Sequence, residues 1–162
     1  MKTVVVAVLA LATVAACGSV GGSKPSVAPT STSPPAPPAT SRPRGPDQQL
    51  SAFRAPSGNI GCELVTTQVA RCDIHEHSWS PPPKPADCDL DWGFGLQVAT
   101  SGQAGFVCAG DTAVDPASPV LAYGQRARQG TFVCESAETG VTCTNEATGR
   151  GFFLSRESYR FF

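Results

Sequence analysis

The chain contains two histidines, His75 and His77, at a spacing that would point both rings to one side of an extended strand. Imidazole nitrogens are common zinc ligands, and nearby carboxylates could add to a site. Those carboxylates belong to Asp73, Glu76, Asp87, Asp89 and Asp91. Zinc takes roughly three or four protein ligands, so the histidine pair alone does not define a centre. Metal binding through His75 and His77 is therefore a hypothesis, and the sequence predicts no cofactor.

The sequence patterns for calcium binding and for a serine hydrolase are weaker still. The segment that begins at Asp87 resembles a calcium loop, but its glycine, Gly93, comes one residue late and Val98 replaces the bidentate glutamate. There is no G-x-S-x-G motif, and Ser57 and Ser101 each precede a glycine, as turn residues do. We therefore predict that the protein is not an enzyme.

Cys17, the first of the seven cysteines, follows an apolar leader and lies far from the other six. A leader with Lys2 and an apolar run ends in residues 14–18, V-A-A-C-G, which resemble the bacterial lipobox. In a lipobox the cysteine receives a diacylglycerol and the leader is removed just before it. We therefore expect residues 1–16 to be a lipoprotein signal peptide and Cys17 to carry the lipid, with further acylation such as palmitate.

The leader is too short to be a permanent anchor. Residues 4–16 would cover about 20 Å as a helix, less than the hydrocarbon core of about 30 Å. The expected location is thus the extracytoplasmic face of the cell membrane, where the lipid on Cys17 holds the mature chain.

The other six cysteines form an even set in a chain sent to an oxidising compartment, which predicts three disulfides. They are Cys62, Cys72, Cys88, Cys108, Cys134 and Cys143. Six cysteines allow about fifteen connectivities, so the pairing needs an argument from the strands.

The elements that must position these residues lie in a single domain. Residues 17–49 are the lipidated cysteine and a disordered tether rich in proline, serine and threonine, since they contain too few apolar side chains for a core. Residues 50–162 show short apolar and β-branched runs between glycine, proline and aspartate clusters. This pattern predicts a small all-β domain of short antiparallel hairpins, sandwich-like or barrel-like and stapled by disulfides.

Strand alternation suggests the pairing. A hairpin that turns at residues 66–68 places Cys62 opposite Cys72 and Glu63 opposite Arg71. A second hairpin turning at residues 138–140 pairs Cys134 with Cys143, and Gly140 can adopt positive φ there. By elimination Cys88 pairs with Cys108, which fastens the proline-rich loop 81–91 to a strand at 105–108. That strand would pair with residues 94–99 through a turn at residues 101–102.

The aromatic residues of the domain are expected in the core or half-buried, and the C-terminal residues 159–162 are expected to form a closing strand. The aromatic residues in question are Trp79, Trp92, Phe94, Phe106, Phe132, Phe152 and Tyr159. Residues 50–162 contain eight basic and twelve acidic side chains, which gives no basic footprint for nucleic acid.

Several segments are typical of one family. These are residues 53–62, 71–74, 91–93, 106–111, 140–145 and 151–156. They resemble a family of small exported actinobacterial lipoproteins with a cysteine-rich domain of unknown function. That resemblance implies no activity. The leading interpretation is a non-enzymatic envelope module that binds an envelope protein or a wall component. The alternative is a metal-binding envelope protein that uses His75 and His77.

Overall fold

The computed structural model describes residues 45–65, 68–100 and 103–162. Within these ranges the chain forms ten strands and no helix, and therefore no helix that could cross a membrane. The strands are β1 (Ala52–Arg54), β2 (Ile60–Val65), β3 (Val69–Ile74), β4 (Asp91–Ala99), β5 (Gly105–Ala109), β6 (Arg126–Gln129), β7 (Phe132–Ala137), β8 (Gly140–Asn145), β9 (Arg150–Leu154) and β10 (Tyr159–Phe161). The predicted all-β class is confirmed. The predicted signal peptide, Cys17 and residues 18–44 lie outside the described residues, as do residues 66–67 and 101–102, where turns were predicted.

The strands form two antiparallel five-stranded meanders, β1 to β5 in one sheet and β6 to β10 in the other. We call them sheet 1 and sheet 2. They pack face to face around one apolar core, with β3 and β4 opposite β7, β8 and β9. At one edge the segment before β1 joins sheet 2, where the Gln48 amide donates to the carbonyl of Arg126. The fold is therefore a sandwich of two disulfide-stapled meanders.

The two cysteine hairpins have the predicted registers. Cys62 lies opposite Cys72 and Glu63 opposite Arg71. In β7 and β8, Cys134 lies opposite Cys143. Gly140 begins β8 with a φ of 142°, and the turn before it is the pair 138–139. The alternation of apolar and polar residues was thus sufficient to align both hairpins.

All three disulfides have the pairing derived from the strands. Cys62–Cys72 and Cys134–Cys143 are fully buried, and they meet where the Cys72 Sγ lies 3.4 Å from the Cys143 Sγ across the sheets. Disulfide sulfurs carry no hydrogen, so this is a packing contact. Each bridge stabilises the fold by about 3 kcal/mol on the loop-entropy account.

The third disulfide, Cys88–Cys108, fastens the proline-rich loop to β5. The Trp92 indole N–H supports the same loop by donating to the carbonyl of Pro82 at 3.0 Å. Gly93 has a φ of 93°, and a Cβ there would lie 2.7 Å from Pro81. Only glycine fits this close approach of loop and strand.

One aromatic expectation is wrong. Phe94 is 52% exposed, whereas a regular β4 would have placed it on the inner face with Leu96 and Val98. The register of β4 against β5 shifts between Trp92 and Leu96, so the alternation is interrupted at Phe94. Phe132 and Phe152 are fully buried as predicted.

The remaining aromatic side chains close the edge between β5 and β10. Phe106 of β5 contacts Tyr159 and Phe161 of β10, with ring centroids 4.9 and 5.7 Å apart. Trp79 packs edge-on against Tyr159 at 4.8 Å, and its indole N–H donates to the Ser155 carbonyl. The C-terminal strand therefore closes the sandwich, as predicted.

Candidate functional site

The two ends of the sandwich are built differently. At the end where β8 finishes, the buried Asn145 amide donates to the carbonyls of Ala99 and Thr100, at 3.2 and 3.5 Å. These bonds tie sheet 2 to the last residues of β4 in sheet 1. We call this the closed end, and it includes the turns that follow β6 and β8.

At the other end the sheets enclose a cleft of about 710 Å³. On the side of sheet 1 the cleft is lined by the loop after β1, the start of β2 and the residues after β3. On the side of sheet 2 it is lined by the β7–β8 turn and the residues after β9, and Tyr123 comes from the segment before β6. We call this the open end. The cleft is lined by Ala55, Ser57, Gly58, Asn59, Ile60, His75, Glu76, Tyr123, Ala137, Glu138, Thr139, Gly140, Ser155, Arg156 and Glu157.

Local hydrogen bonds hold the wall of the cleft on sheet 1. The side chain of Asn59 donates to the Glu76 carbonyl and accepts from the Glu76 amide, both at 2.9 Å. The His75 amide donates to the Asn59 carbonyl at 3.0 Å. Gly58, with a φ of 72°, supplies the turn before Asn59. The cleft wall is therefore a fixed junction between the loop after β1 and the end of β3.

The charged groups of the cleft come from both sheets. Glu76 pairs with Arg156 across the opening at 3.3 Å. Among the described residues, the carboxylates of Glu138 and Glu157 have no ionic partner. Tyr123 is 41% exposed on the same lining. The cleft thus offers two available carboxylates and one aromatic face.

A smaller pocket of about 250 Å³ adjoins the cleft on the side of sheet 1. We call it the side pocket, and His75 is the residue that lines both. Its other lining residues are Arg71, Asp73, Ile74, Asp91, Phe94, Gly95, Val107, Ala109, Asp111 and Thr112. The exposed ring of Phe94 therefore belongs to this pocket, because the irregularity in β4 turns it outward.

An ion cluster that runs from the buried Asp73 to the exposed Asp111 lines the side pocket. Arg71 binds Asp73 through two hydrogen bonds of 2.9 and 2.6 Å, and it binds Asp111 at 2.8 Å. The Asp73 carboxylate also accepts the amide of Ala113, which holds the loop after β5 against sheet 1. Burial alone lowers the pKa of Arg71, but its hydrogen bonds to Asp73 and Asp111 reverse this, so the pKa is raised.

The same cluster affects Asp111. The hydrogen bond from the Arg71 guanidinium, with its positive charge, holds the pKa of Asp111 below its ordinary value. A guanidinium fixed by two carboxylates is committed to structure, so Arg71 is not available to attract an anion into the pocket.

The two histidine rings have different surroundings in the structure. Because β3 ends at Ile74, neither histidine lies on the strand that would align their rings. The His75 ring is exposed at the junction of the two pockets. The His77 ring stacks on Trp79 at 3.7 Å, and its Nδ1 lies 2.9 Å from the Trp79 carbonyl oxygen.

Among the described residues, no group of three candidate metal ligands includes either histidine. In the described part of the chain, one group of three candidate metal ligands lies close together, namely Cys62, Cys72 and Cys143. All three sulfurs are bound in disulfides, which leaves no thiolate for a metal. The geometry therefore adds nothing to the metal hypothesis for His75 and His77.

The two serine hydroxyls of the cleft are engaged in local turns. The Ser57 Oγ accepts the Asn59 amide at 3.3 Å, and the Ser155 Oγ donates to the Ser158 carbonyl at 3.1 Å. Neither serine is hydrogen-bonded to a histidine within the described ranges. A serine nucleophile needs such a base, and none is bonded to either serine in the described part of the chain.

Sequence reasoning had singled out His75 and Glu76 but not the rest of this site. Asn59 and Arg156 fall in segments typical of the resembled family, which was the available signal for them. Tyr123, Glu138 and Glu157 carried no signal, because the sheets bring them together from distant parts of the chain.

A sequence model of DUF6636, described as a family of unknown function, matches residues 45–162. The match covers most of the chain and all of the sandwich, so the chain belongs to this family. The expected resemblance to a family of unknown function is thereby confirmed. No curated protein and no solved structure matches the chain significantly.

Proposed function

We propose that this member of the DUF6636 family is an exported lipoprotein that binds a ligand in the cleft at the open end of its sandwich. The observation that carries the binding role is the contrast between the two ends. One end is tied by Asn145, whereas the other opens into a cleft of about 710 Å³ whose polar lining comes from both sheets. Concave sites with a few convergent polar groups are the usual places for ligands.

Binding without chemical conversion agrees with the groups in the cleft. The serine hydroxyls form turns, and the Glu76 carboxylate is paired with Arg156. In this proposal the cleft recognises an envelope protein or a wall component, and His75 lies where the cleft and the side pocket meet.

The sequence supports the location in the proposal. The leader at residues 1–16 and the lipobox around Cys17 are typical of exported lipoproteins, and in this proposal the proline-rich stretch of the predicted tether, residues 17–49, links the lipid to the sandwich. Three disulfides suit an oxidising compartment outside the cytoplasm. The preference for arginine over lysine and the resembled family favour an actinobacterial source.

Mass spectrometry of the mature protein tests the anchor. We expect an N-terminus at Cys17 that carries a diacylglycerol and one or more acyl chains. A Cys17→Ser variant should lack the lipid and leave the membrane fraction. An unmodified Cys17, or an intact leader in the mature protein, would overturn the anchoring part of the proposal.

Site-specific photo-crosslinking in the intact envelope tests the binding end. A photoreactive amino acid replaces Thr139 at the open end or, as the control, Thr131 at the closed end, since both threonines are exposed. The open-end probe should yield a defined adduct that the closed-end probe does not. Equal adducts from both positions, or none from Thr139, would contradict binding at the open end.

A further inference from the structure

The negative charge of the domain is concentrated around the open end. Six acidic and two basic side chains line the cleft and the side pocket. Residues 50–162 as a whole contain twelve acidic and eight basic side chains. Within residues 50–162 the remainder is therefore balanced at six of each sign, so the negative excess of this range faces the two pockets, and Asp47 before it is paired with Arg126 and Arg128. The six acids are Asp73, Glu76, Asp91, Asp111, Glu138 and Glu157.

A concave surface of one charge sign focuses its field on ligands of the opposite sign. The two arginines do not reverse this, because each is paired with carboxylates of the lining, Arg71 with Asp73 and Asp111, and Arg156 with Glu76. An anionic ligand would meet free carboxylates and no free cation among the described lining residues. The site is therefore suited to a cation.

Each pocket also presents an exposed aromatic ring. Tyr123 lines the cleft with 41% of its surface exposed, and Phe94 lines the side pocket with 52% exposed. Aromatic faces attract ammonium groups through the ring quadrupole, and they contact the methylene groups between such charges. A bare metal ion gains little from such faces and needs a compact ligand group, which the described histidines and carboxylates do not form.

We infer that the ligand of the open end is an organic cation with more than one ammonium group, separated by methylene segments. One ammonium group lies in the cleft near Glu138 and Glu157, and another lies in the side pocket near Asp91, so that the ligand passes His75. This inference rests on the proposed function, because it states which groups the envelope component must present to the same site.

Calorimetric titration of the mature chain with spermidine tests the inference, with Cys17→Ser used to avoid detergent. The matched neutral probe is an ethylene glycol oligomer of similar length. Spermidine should bind and the neutral oligomer should not. Raising the salt concentration from about 20 to about 200 mM should weaken spermidine binding several-fold, since exposed charges are screened.

Two double variants test which carboxylates bind the ammonium groups. The double variant Glu138→Gln/Glu157→Gln should bind spermidine about fivefold more weakly, as expected for the loss of two exposed ionic contacts. The control is Asp87→Asn with Asp89→Asn, which removes the same charge from an exposed loop outside both pockets and should change binding less than twofold. Equal losses in the two variants would overturn the assignment of the ammonium sites.

Amide NMR shifts in the same titrations separate this inference from the proposed function. If the neutral oligomer shifts the open-end residues as strongly as spermidine does, the cleft binds ligands but the cationic class is wrong. If neither probe shifts them, the cationic class is wrong and the crosslinking result alone decides whether the open end binds.

Discussion

The two ends of the sandwich treat a buried polar side chain in opposite ways. At the closed end, the amide of Asn145 bonds sheet 2 to the carbonyls of Ala99 and Thr100. Toward the open end, the Oγ of Ser136 on β7 is completely buried and has no hydrogen-bond partner among the described residues. The closed end is thus tied by a buried side-chain amide, whereas at the open end Ser78 and Trp79 bond to the carbonyls of Arg156 and Ser155 beside a cleft that stays open.

The glutamate side chains at the two ends also differ in their ion pairing. Beside Asn145, the Glu146 carboxylate binds Arg128 through two hydrogen bonds and also pairs with Arg126. At the open end, Glu138 and Glu157 have no ionic partner within the described ranges. We therefore expect substitutions at the closed end to reduce stability, and substitutions at the open end to affect binding.

The largest expected effect is that of Phe132→Ala. Phe132 is fully buried where β7 begins at the closed end, so its removal leaves a cavity between the sheets. We expect a loss of about 3 to 5 kcal/mol in the free energy of unfolding, measured by urea denaturation. A loss below about 1 kcal/mol would show that this end is loosely packed.

Asn145→Ala should have the next largest effect. The substitution leaves the Ala99 carbonyl and the Ala147 amide without the bonds that they make with the Asn145 side chain. Unfolding free energy should fall by about 2 kcal/mol, because the buried amide that ties the sheets is removed and its partly buried partners lose their bonds. Unchanged stability would contradict the role of Asn145 as the tie between the sheets.

Ser136→Ala should act in the opposite direction. Removing a buried hydroxyl that has no partner eliminates a desolvation cost, so we expect stability to be unchanged or higher by up to about 1 kcal/mol. The same denaturation measurement checks this variant against Asn145→Ala. If Ser136→Ala destabilised the protein as much as Asn145→Ala, the proposed difference between the ends would be wrong.

Glu146→Gln should have the smallest effect, and it should depend on pH. Hydrogen bonding to Arg128 lowers the pKa of Glu146, so its contribution is complete above the ordinary glutamate pKa of about 4.3 and is lost as the pH falls through the lowered value. The carboxylate is nearly half exposed, so we expect about 0.5 kcal/mol or less at neutral pH. Denaturation at pH 7 and in acid should show this difference shrinking, and a difference that grew in acid would contradict the ion pair.

Local features of the fold could be predicted from the sequence. In each cysteine hairpin the strands are joined by a short turn, so alternation alone aligns Cys62 with Cys72 and Cys134 with Cys143. The exposure of Phe94 could not be predicted, because it depends on an irregularity in how β4 pairs with β5.

The cleft could not be predicted, because it is formed by packing between the sheets. The alternation of apolar and polar residues along a strand does not encode that packing. His75 was singled out for its spacing to His77, yet its neighbours in the cleft include Glu138 and Arg156 of sheet 2. Nothing local to Glu138 marks it as part of a site, since it lies in a two-residue turn. Sequence reasoning therefore reached the hairpins and the cleft residues His75 and Glu76, and the packing of the meanders supplied the rest.

Hydrogen–deuterium exchange of the lipidated protein tests most directly whether the open end is the binding end. Exchange is compared between the protein in its native envelope and the same protein purified in detergent. We predict slower exchange in the envelope for residues 55–60 and 137–140, and no difference for residues 97–100 and 145–149. Equal protection of both ends, or protection of the closed end alone, would contradict the account.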